Sequence, residues 1–323
     1  MAVQSYFDIK AISASSLKWF EQSPLYFRKM LDKEIEQAPQ RFFEFGTQAH
    51  MKILEPERFE KEYCTLDFKT PSSEQQKKFC EDYVSFPAKK VEDKAVYAYK
   101  NNYVSKESDD KIKEKAVKLK EQLHDYIQYL KKRTEVKDVL NRSTWAKLED
   151  INNLVHNHIK AKELLFSDIS ENIFVANEFE IMWEFPTKGL PCKSAIDRLI
   201  IDHNTKTIKL VDIKTTSNIA EFKQRFQELK YSRQMAFYWM AIAWYFKNTL
   251  NRDDFFEYTQ ETYIVCIGKG DLQEVKVYEL TIDTLNEGYD SMLKLIEELE
   301  WHWKNELWEH SRDYYTGNYM EKL

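Results

Sequence analysis

Between positions 178 and 185 the chain alternates strictly, Glu-Phe-Glu-Ile-Met-Trp-Glu-Phe, so Phe179, Ile181, Trp183 and Phe185 fall on one face of a half-buried strand. Pro186 to Pro191 reads as a turn, Cys192 to Asp202 as a second strand, His203 to Lys206 as another turn, and Thr207 to Thr215 as a third strand. Two short connections in succession predict an antiparallel meander. On either side the period becomes helical. Upstream, Leu17, Phe20, Tyr26, Phe27 and Met30 predict two short helices over residues 13 to 31, capped by serine and broken at Pro24. The stretch from Arg41 to Leu54 is apolar and sets Gly46 and His50 four apart on one helical face. From 65 to 165 the sequence is polar and lysine-rich, with loops at Pro71, Pro87 and the cluster from Ser105 to Asp110, and amphipathic helices over 111 to 140 and 146 to 165. Downstream, 219 to 229 and 231 to 246 read as helices, the second apolar nearly all round and therefore buried. Strands over 261 to 267 and 274 to 281 flank a loop at Gly268 and Gly270. A long amphipathic helix follows over 285 to 310, with Met292, Leu295, Ile296, Leu299 and Trp303 as its core stripe.

Composition narrows this picture. A chain of 323 residues with 43% hydrophobic content can bury a substantial core. Its 6 glycines and 7 prolines, with no proline beyond Pro191, argue against an all-β sandwich and for helices around a modest sheet. Cys64, Cys80, Cys192 and Cys266 lie far apart, with no Cys-x-x-Cys pair and no histidine at zinc spacing, and read as buried structural thiols. The sequence shows no basic leader followed by an apolar run and no apolar stretch of membrane-spanning length, which predicts a reducing cytoplasmic location and no membrane partner. A net charge of −6 makes no electrostatic case for nucleic acid by itself. Charge is nevertheless segregated, lysine-rich over 111 to 137 and mostly acidic over 287 to 309, and a solvated helix face is the ordinary reading of such runs.

Candidate chemistry centres on the strand that ends Lys209-Leu-Val-Asp-Ile-Lys-Thr-Thr216, where Asp212 and Lys214 share a face. Asp-x-Lys recurs at Asp8/Lys10, Asp67/Lys69 and Asp109/Lys111, so context must choose. Asp197 supplies context: it lies mid-strand between apolar residues, where a carboxylate needs a partner or a metal. Gln234 and Tyr238 form a polar pair, four apart, on the otherwise apolar helix. His50 alone reads as a satisfied core histidine, and His156 and His158, two apart on a helix, point in different directions and share no metal.

Taken in order, Gly46/His50, Asp197, Asp212/Lys214 and Gln234/Tyr238 resemble the motifs of the PD-(D/E)XK nuclease superfamily, in its RecB-like branch. Gln22/Tyr26 and Gln122/Tyr126 also satisfy the last pattern, so the specificity lies in the order of all four and the short gaps between the last three. The opening Ile-Ser-Ala-Ser-Ser-Leu-Lys from residue 12, the Ser-Pro that follows and Phe-Gly-Thr-Gln-Ala-His from residue 45 are similar to the phage exodeoxyribonuclease VIII (RecE-type) group. Resemblance covers blocks over residues 12 to 245 and does not extend to 65 to 145 or to the C-terminal helix. Ser194 stands where many RecB-like members carry glycine, and the cysteine cluster of the iron–sulfur relatives is missing.

The resemblance, taken with the helical periodicity on either side of the sheet, implies an α+β fold: a restriction-endonuclease-like core with a central mixed sheet flanked by helices, plus a large helical N-terminal part and a long C-terminal helix. It implies a single nuclease domain over 1 to 323, with 1 to 165 mainly helical, 166 to 284 the catalytic core and 285 to 323 a helical extension. The implied activity is a metal-dependent exonuclease working on ends of linear double-stranded DNA in phage-type recombination or repair, in a bacterial or phage setting. Mg²⁺ or Mn²⁺ would be held by Asp197, Asp212 and the carbonyl of Ile213, with His50 approaching from the preceding helix. Lys214 would orient or deprotonate the attacking water, and Gln234 and Tyr238 would hold the lysine, the phosphate or the DNA backbone. Glu178 and Glu180 are auxiliary candidates, although alternation sets both opposite the apolar face. Expected partners are DNA, a single-strand annealing protein and further copies of the chain. The alternative is a non-catalytic nucleic-acid- or partner-binding module on the same fold.

Overall fold

The hydroxyl of Ser13 accepts the amide of Ser16 in a capping box and starts α1 (Ala14–Gln22). Ser23 accepts from Tyr26 and starts α2 (Pro24–Leu31), with Pro24 in the first turn, where a missing N–H costs nothing. The chain continues through α3 (Arg41–Leu54), α4 (Pro56–Glu62), β1 (Tyr63–Thr65), α5 (Glu74–Ser85), α6 (Val91–Asn102), α7 (Asp109–Gln122), α8 (His124–Arg133), β2 (Asp138–Leu140), α9 (Arg142–Asn157) and α10 (Ile159–Phe166). Then come β3 (Ile173–Phe185), β4 (Leu190–Asp202), β5 (Thr207–Thr216), α11 (Phe222–Glu228), α12 (Tyr231–Asn248), β6 (Thr259–Gly268), β7 (Val275–Glu279), α13 (Ile282–Asn305) and α14 (Arg312–Thr316). This computed structural model describes residues 6–35, 41–104, 107–167, 170–186, 188–270 and 273–320.

The chain divides into two compact units, one of residues 1–54 with 151–323 and one of residues 55–150. The first is built on a mixed sheet in the order β3-β4-β5-β6-β7. The meander β3-β4-β5 is antiparallel as its short turns require, and α11 and α12 carry the chain across to β6, which runs parallel to β5. One side of the sheet packs α1, α2, α12 and α13 around Leu17, Phe27, Phe237, Ile242, Met292 and Ile296. The opposite side packs Val211, Ile213, Val265 and Ile267 against Ile53 of α3 and Leu164 of α10. In the unit of residues 55–150, α5 to α8 enclose Phe79, Ala95, Ala116 and Ile127, and β1 pairs with β2 in parallel.

Several boundaries differ from the sequence expectation. The helix expected over 111 to 140 breaks at Leu123, which closes α7 and opens α8, and its end becomes β2 because Asp138–Leu140 finds a strand partner more than seventy residues away. The helix expected over 146 to 165 breaks at His158, whose ring accepts the Ala161 amide and caps α10, while His156 stacks on Phe166. The C-terminal helix ends at Asn305 rather than 310, because Glu306 takes a left-handed conformation. Ser105, Thr187 and residues 271–272 of the expected loops lie outside the described residues. All four cysteines are free, with Cys80, Cys192 and Cys266 buried and Cys64 half-buried. No described helix is long and apolar enough to cross a membrane.

Candidate active site

The site forms where β4 and β5 part. Their ladder ends at Arg198↔Val211, so beyond Val211 the β4-facing edge of β5 has no strand partner. There the Ile213 amide donates instead to Oδ2 of Asp197 at 2.6 Å, a side-chain carboxylate taking the place of a backbone carbonyl. The adjoining residue locks the strand in place: buried Arg198 donates to the Leu164 carbonyl at the end of α10 at 2.7 Å and to Asn177 at 2.8 Å.

A slip in alternation delivers Asp197 to this gap. Ile196 and Leu199, three apart on β4, both face the same core, as do Phe174 and Phe179, five apart on β3. A strand of unbroken period 2 permits neither. The slip falls between the paired positions Asn177↔Arg198 and Phe179↔Ile196, at Glu178, which has a φ of 47°. A non-glycine residue there is uncommon and is sustained by the packing around it. The result turns Glu178 inward, so that its carboxylate, that of Asp197 and a ring nitrogen of His50 all lie within 4.8 Å of one another. Glu180, two residues on, is exposed.

The residues singled out from sequence converge on this point. His50 on α3 lies 3.5 Å from Asp197 through Nδ1, and the Ile213 backbone close to its ring favours the charged form. Asp212 and Lys214 share a face of β5 and pair at 2.6 Å. Gln234 donates to the Tyr238 hydroxyl at 2.8 Å on α12. Tyr238 is buried close enough to the carboxylates that burial first, then Asp212 and Asp197, hold its pKa well above the tyrosine range. Gly46, one helical turn before His50, faces Thr215: a methyl group built on it would stand 3.5 Å from Oγ1, an ordinary contact. Ser194 is buried but satisfied, accepting the Trp183 indole N–H at 3.1 Å.

The electrostatics are those of a buried carboxylate pair beside one ammonium. Burial, reinforced by Asp197, raises Asp212 to about 6, while Lys214 and His50 oppose the shift. Asp197 is raised by burial against the pull of Lys214 and the Ile213 amide. Burial and then Lys214 lower His50 to about 4, so the imidazole is neutral at pH 7. Lys214 loses from burial, but Asp212 and Asp197 more than offset that and hold it charged. Lys214 at 2.6 Å is the partner of Asp212, and neither carboxylate oxygen has a further one among the described residues. Two carboxylates of hard oxygen donors, one partnered by Lys214 alone, with a neutral imidazole and Glu178 alongside, fit a divalent cation of the Mg²⁺ or Mn²⁺ type.

Residues 13–313 match the sequence model of a family described as a PDDEXK-like domain of unknown function (DUF3799). The chain belongs to this PDDEXK-like family. The PDDEXK-like chain also superposes on a crystal structure of a "Putative exonuclease" from Eubacterium rectale, with a TM-score of 0.51, 11% identity and coverage of 100% of this chain and 96% of the other. That likeness shows a common fold. No curated protein matches the chain. Glu178, an auxiliary candidate in the sequence, stands beside Asp197 and His50, and the positive φ at this residue has no trace in the sequence pattern. Lys18, which stands in the block similar to the RecE-type group, is not among the candidates that the sequence offers.

Proposed function

We propose that this PDDEXK-like chain is a metal-dependent deoxyribonuclease of the exodeoxyribonuclease VIII (RecE-type) kind, an exonuclease that works inward from ends of linear double-stranded DNA. The observation that supports it best is Asp212, a fully buried carboxylate whose one partner among the described residues is the Lys214 ammonium. Such a group costs several kcal/mol unless a cation compensates it, and Lys214 alone must also serve Asp197. Asp197, Asp212 and the Ile213 carbonyl would hold the ion, with neutral His50 and Glu178 beside them. A bound Mg²⁺ or Mn²⁺ would supply a lowered pKa for water and charge balance at the scissile phosphate.

The chain's own groups do the remainder. Lys214, held charged, orients the attacking water and offsets negative charge that grows on the phosphate. Neutral His50 stands beside Asp197 and next to the Ile213 backbone. The Gln234–Tyr238 pair forms a wall of the site whose hydroxyl stays protonated and able to donate. In the setting we infer, phage-type recombination, the partner would be a single-strand annealing protein, and further copies of the chain would assemble around DNA.

Digestion of end-labelled linear duplex with Mg²⁺, Mn²⁺ or EDTA tests this, with covalently closed duplex as comparison. The linear form should be degraded only with metal, the closed form should resist, and Asp212→Asn and Lys214→Ala should each lose at least about 100-fold. Equal attack on closed DNA would overturn the exonuclease assignment. No metal-dependent cleavage of any DNA would leave the non-catalytic binding module as the reading.

A further inference from the structure

Three cationic side chains gather beside the candidate centre: Lys214 on β5, Arg233 on α12 and Lys18 on α1. Two have carboxylate partners, Lys214 with Asp212 at 2.6 Å and Arg233 with Glu21 at 2.7 Å. Lys18 forms no ion pair among the described residues. Its ammonium lies 5.4 Å from the centre of the Tyr231 ring, and the same ring carries Lys214 Nζ at 4.8 Å. The position is built rather than incidental. The Ser13 capping box sets the start of α1, Leu17 beside the lysine is fully buried, and Lys18 itself is half-buried. Burial, then Lys214 and Arg233, works against its charge, while Asp212 and Glu21 support it. A half-buried ammonium facing two like charges is disfavoured unless an anion completes the arrangement.

We propose that Lys18, with Tyr231 as its platform, binds a phosphate of the DNA strand immediately beside the candidate metal centre. This rests on the nuclease reading. Once Asp197 and Asp212 are committed to a divalent ion and Glu21 to Arg233, no neighbouring carboxylate is left for Lys18, and a phosphodiester is the anion that the substrate brings. A lysine suits this role because a compact ammonium needs only proximity to a phosphate oxygen, not a planar fork. The shared ring places Lys18 and Lys214 on one platform, so the phosphate bound by the first adjoins the one attacked beside the second.

Duplex binding in EDTA, read by fluorescence anisotropy over a range of salt, tests the contact without turnover. Each phosphate neutralised contributes about 0.9 to the slope of log K against log salt. Lys18→Met keeps the apolar stem and should lower the slope by about 0.9 and weaken binding, whereas Lys18→Arg should keep the slope. With Mg²⁺ or Mn²⁺, Lys18→Met should raise KM more than it lowers kcat. A slope for Lys18→Met equal to wild type, with wild-type binding and cleavage intact, would overturn this contact and leave the nuclease reading standing. If Lys18→Met does not fold, a reduced slope in folded Lys18→Gln supports the proposal and an unchanged one overturns it. Wild-type protein that neither binds nor cuts DNA overturns both.

Discussion

Asp212 and His50 carry opposite dependences on pH. Asp212 is raised from 3.8 to about 6, so its neutral form contributes stability below the unfolded carboxylate range, and that contribution is lost as pH rises through about 6. His50 is lowered from 6.5 to about 4, so its contribution is present above 6.5 and is lost as pH falls through about 4. Each is on the order of 3 kcal/mol at full extent. In EDTA the two offset one another between about pH 4 and 6, and substitution should expose the remaining one. Denaturant titrations of Asp212→Asn should show stability rising with pH in that window, and those of His50→Gln should show it falling. Adding Mg²⁺ above pH 7 should stabilise wild type by binding the native state alone, and Asp212→Asn should lose that gain. Cleavage should fall on the acid side of about pH 6, as Asp212 takes up the proton that displaces a cation. A different residue tests packing without chemistry. Ser194→Ala strands the buried Trp183 N–H and should cost about 1–3 kcal/mol in a thermal or chemical melt while leaving the cleavage rate of the folded protein unchanged.

At the scale of elements, two glycines make opposite predictions. A methyl group at Gly288 of α13 would stand 2.3 Å from the Ser232 carbonyl oxygen and 2.9 Å from the Arg233 amide, so α13 lies directly on the first turn of α12. Gly288→Ala should cost about 1–3 kcal/mol of stability. It should also depress cleavage, because the turn it displaces carries Arg233 and leads into Gln234. Gly46→Ala meets only an ordinary contact at Thr215 and gains helix propensity of about 1 kcal/mol, so the melting temperature should hold or rise. A loss of DNA affinity in that variant would show that the glycine leaves room for substrate rather than for protein. The meander was legible because alternation and turn chemistry are local. Lengths were not: β3 begins at Ile173, five residues before the strict alternation, since pairing with Ile201 and Asp202 extends it where the sequence pattern has lapsed.

For the whole molecule, we propose that the nuclease core is continuous across residues 1–54 and 151–323 and that residues 55–150 are an insertion with their own core. Leu54 and Ile151, the residues that bracket the insertion, belong to one hydrophobic cluster of that core. A chain with 56–149 replaced by a Gly/Ser linker should fold cooperatively by circular dichroism and retain stabilisation by Mg²⁺; an unfolded product would make the two units one folding entity. The sequence by itself determined the elements of the sheet and the buried aromatic helix and made candidates of Asp197, Asp212, Lys214, Gln234 and Tyr238, because periodicity and motif spacing are properties of neighbouring positions. It did not reveal the inward turn of Glu178, the parting of β4 from β5 that makes Asp197 a partner for a backbone amide, or the approach of Lys18 to the ring of Tyr231. Each of these depends on a backbone torsion, a strand divergence or a contact across hundreds of residues, and only the packed chain decides them.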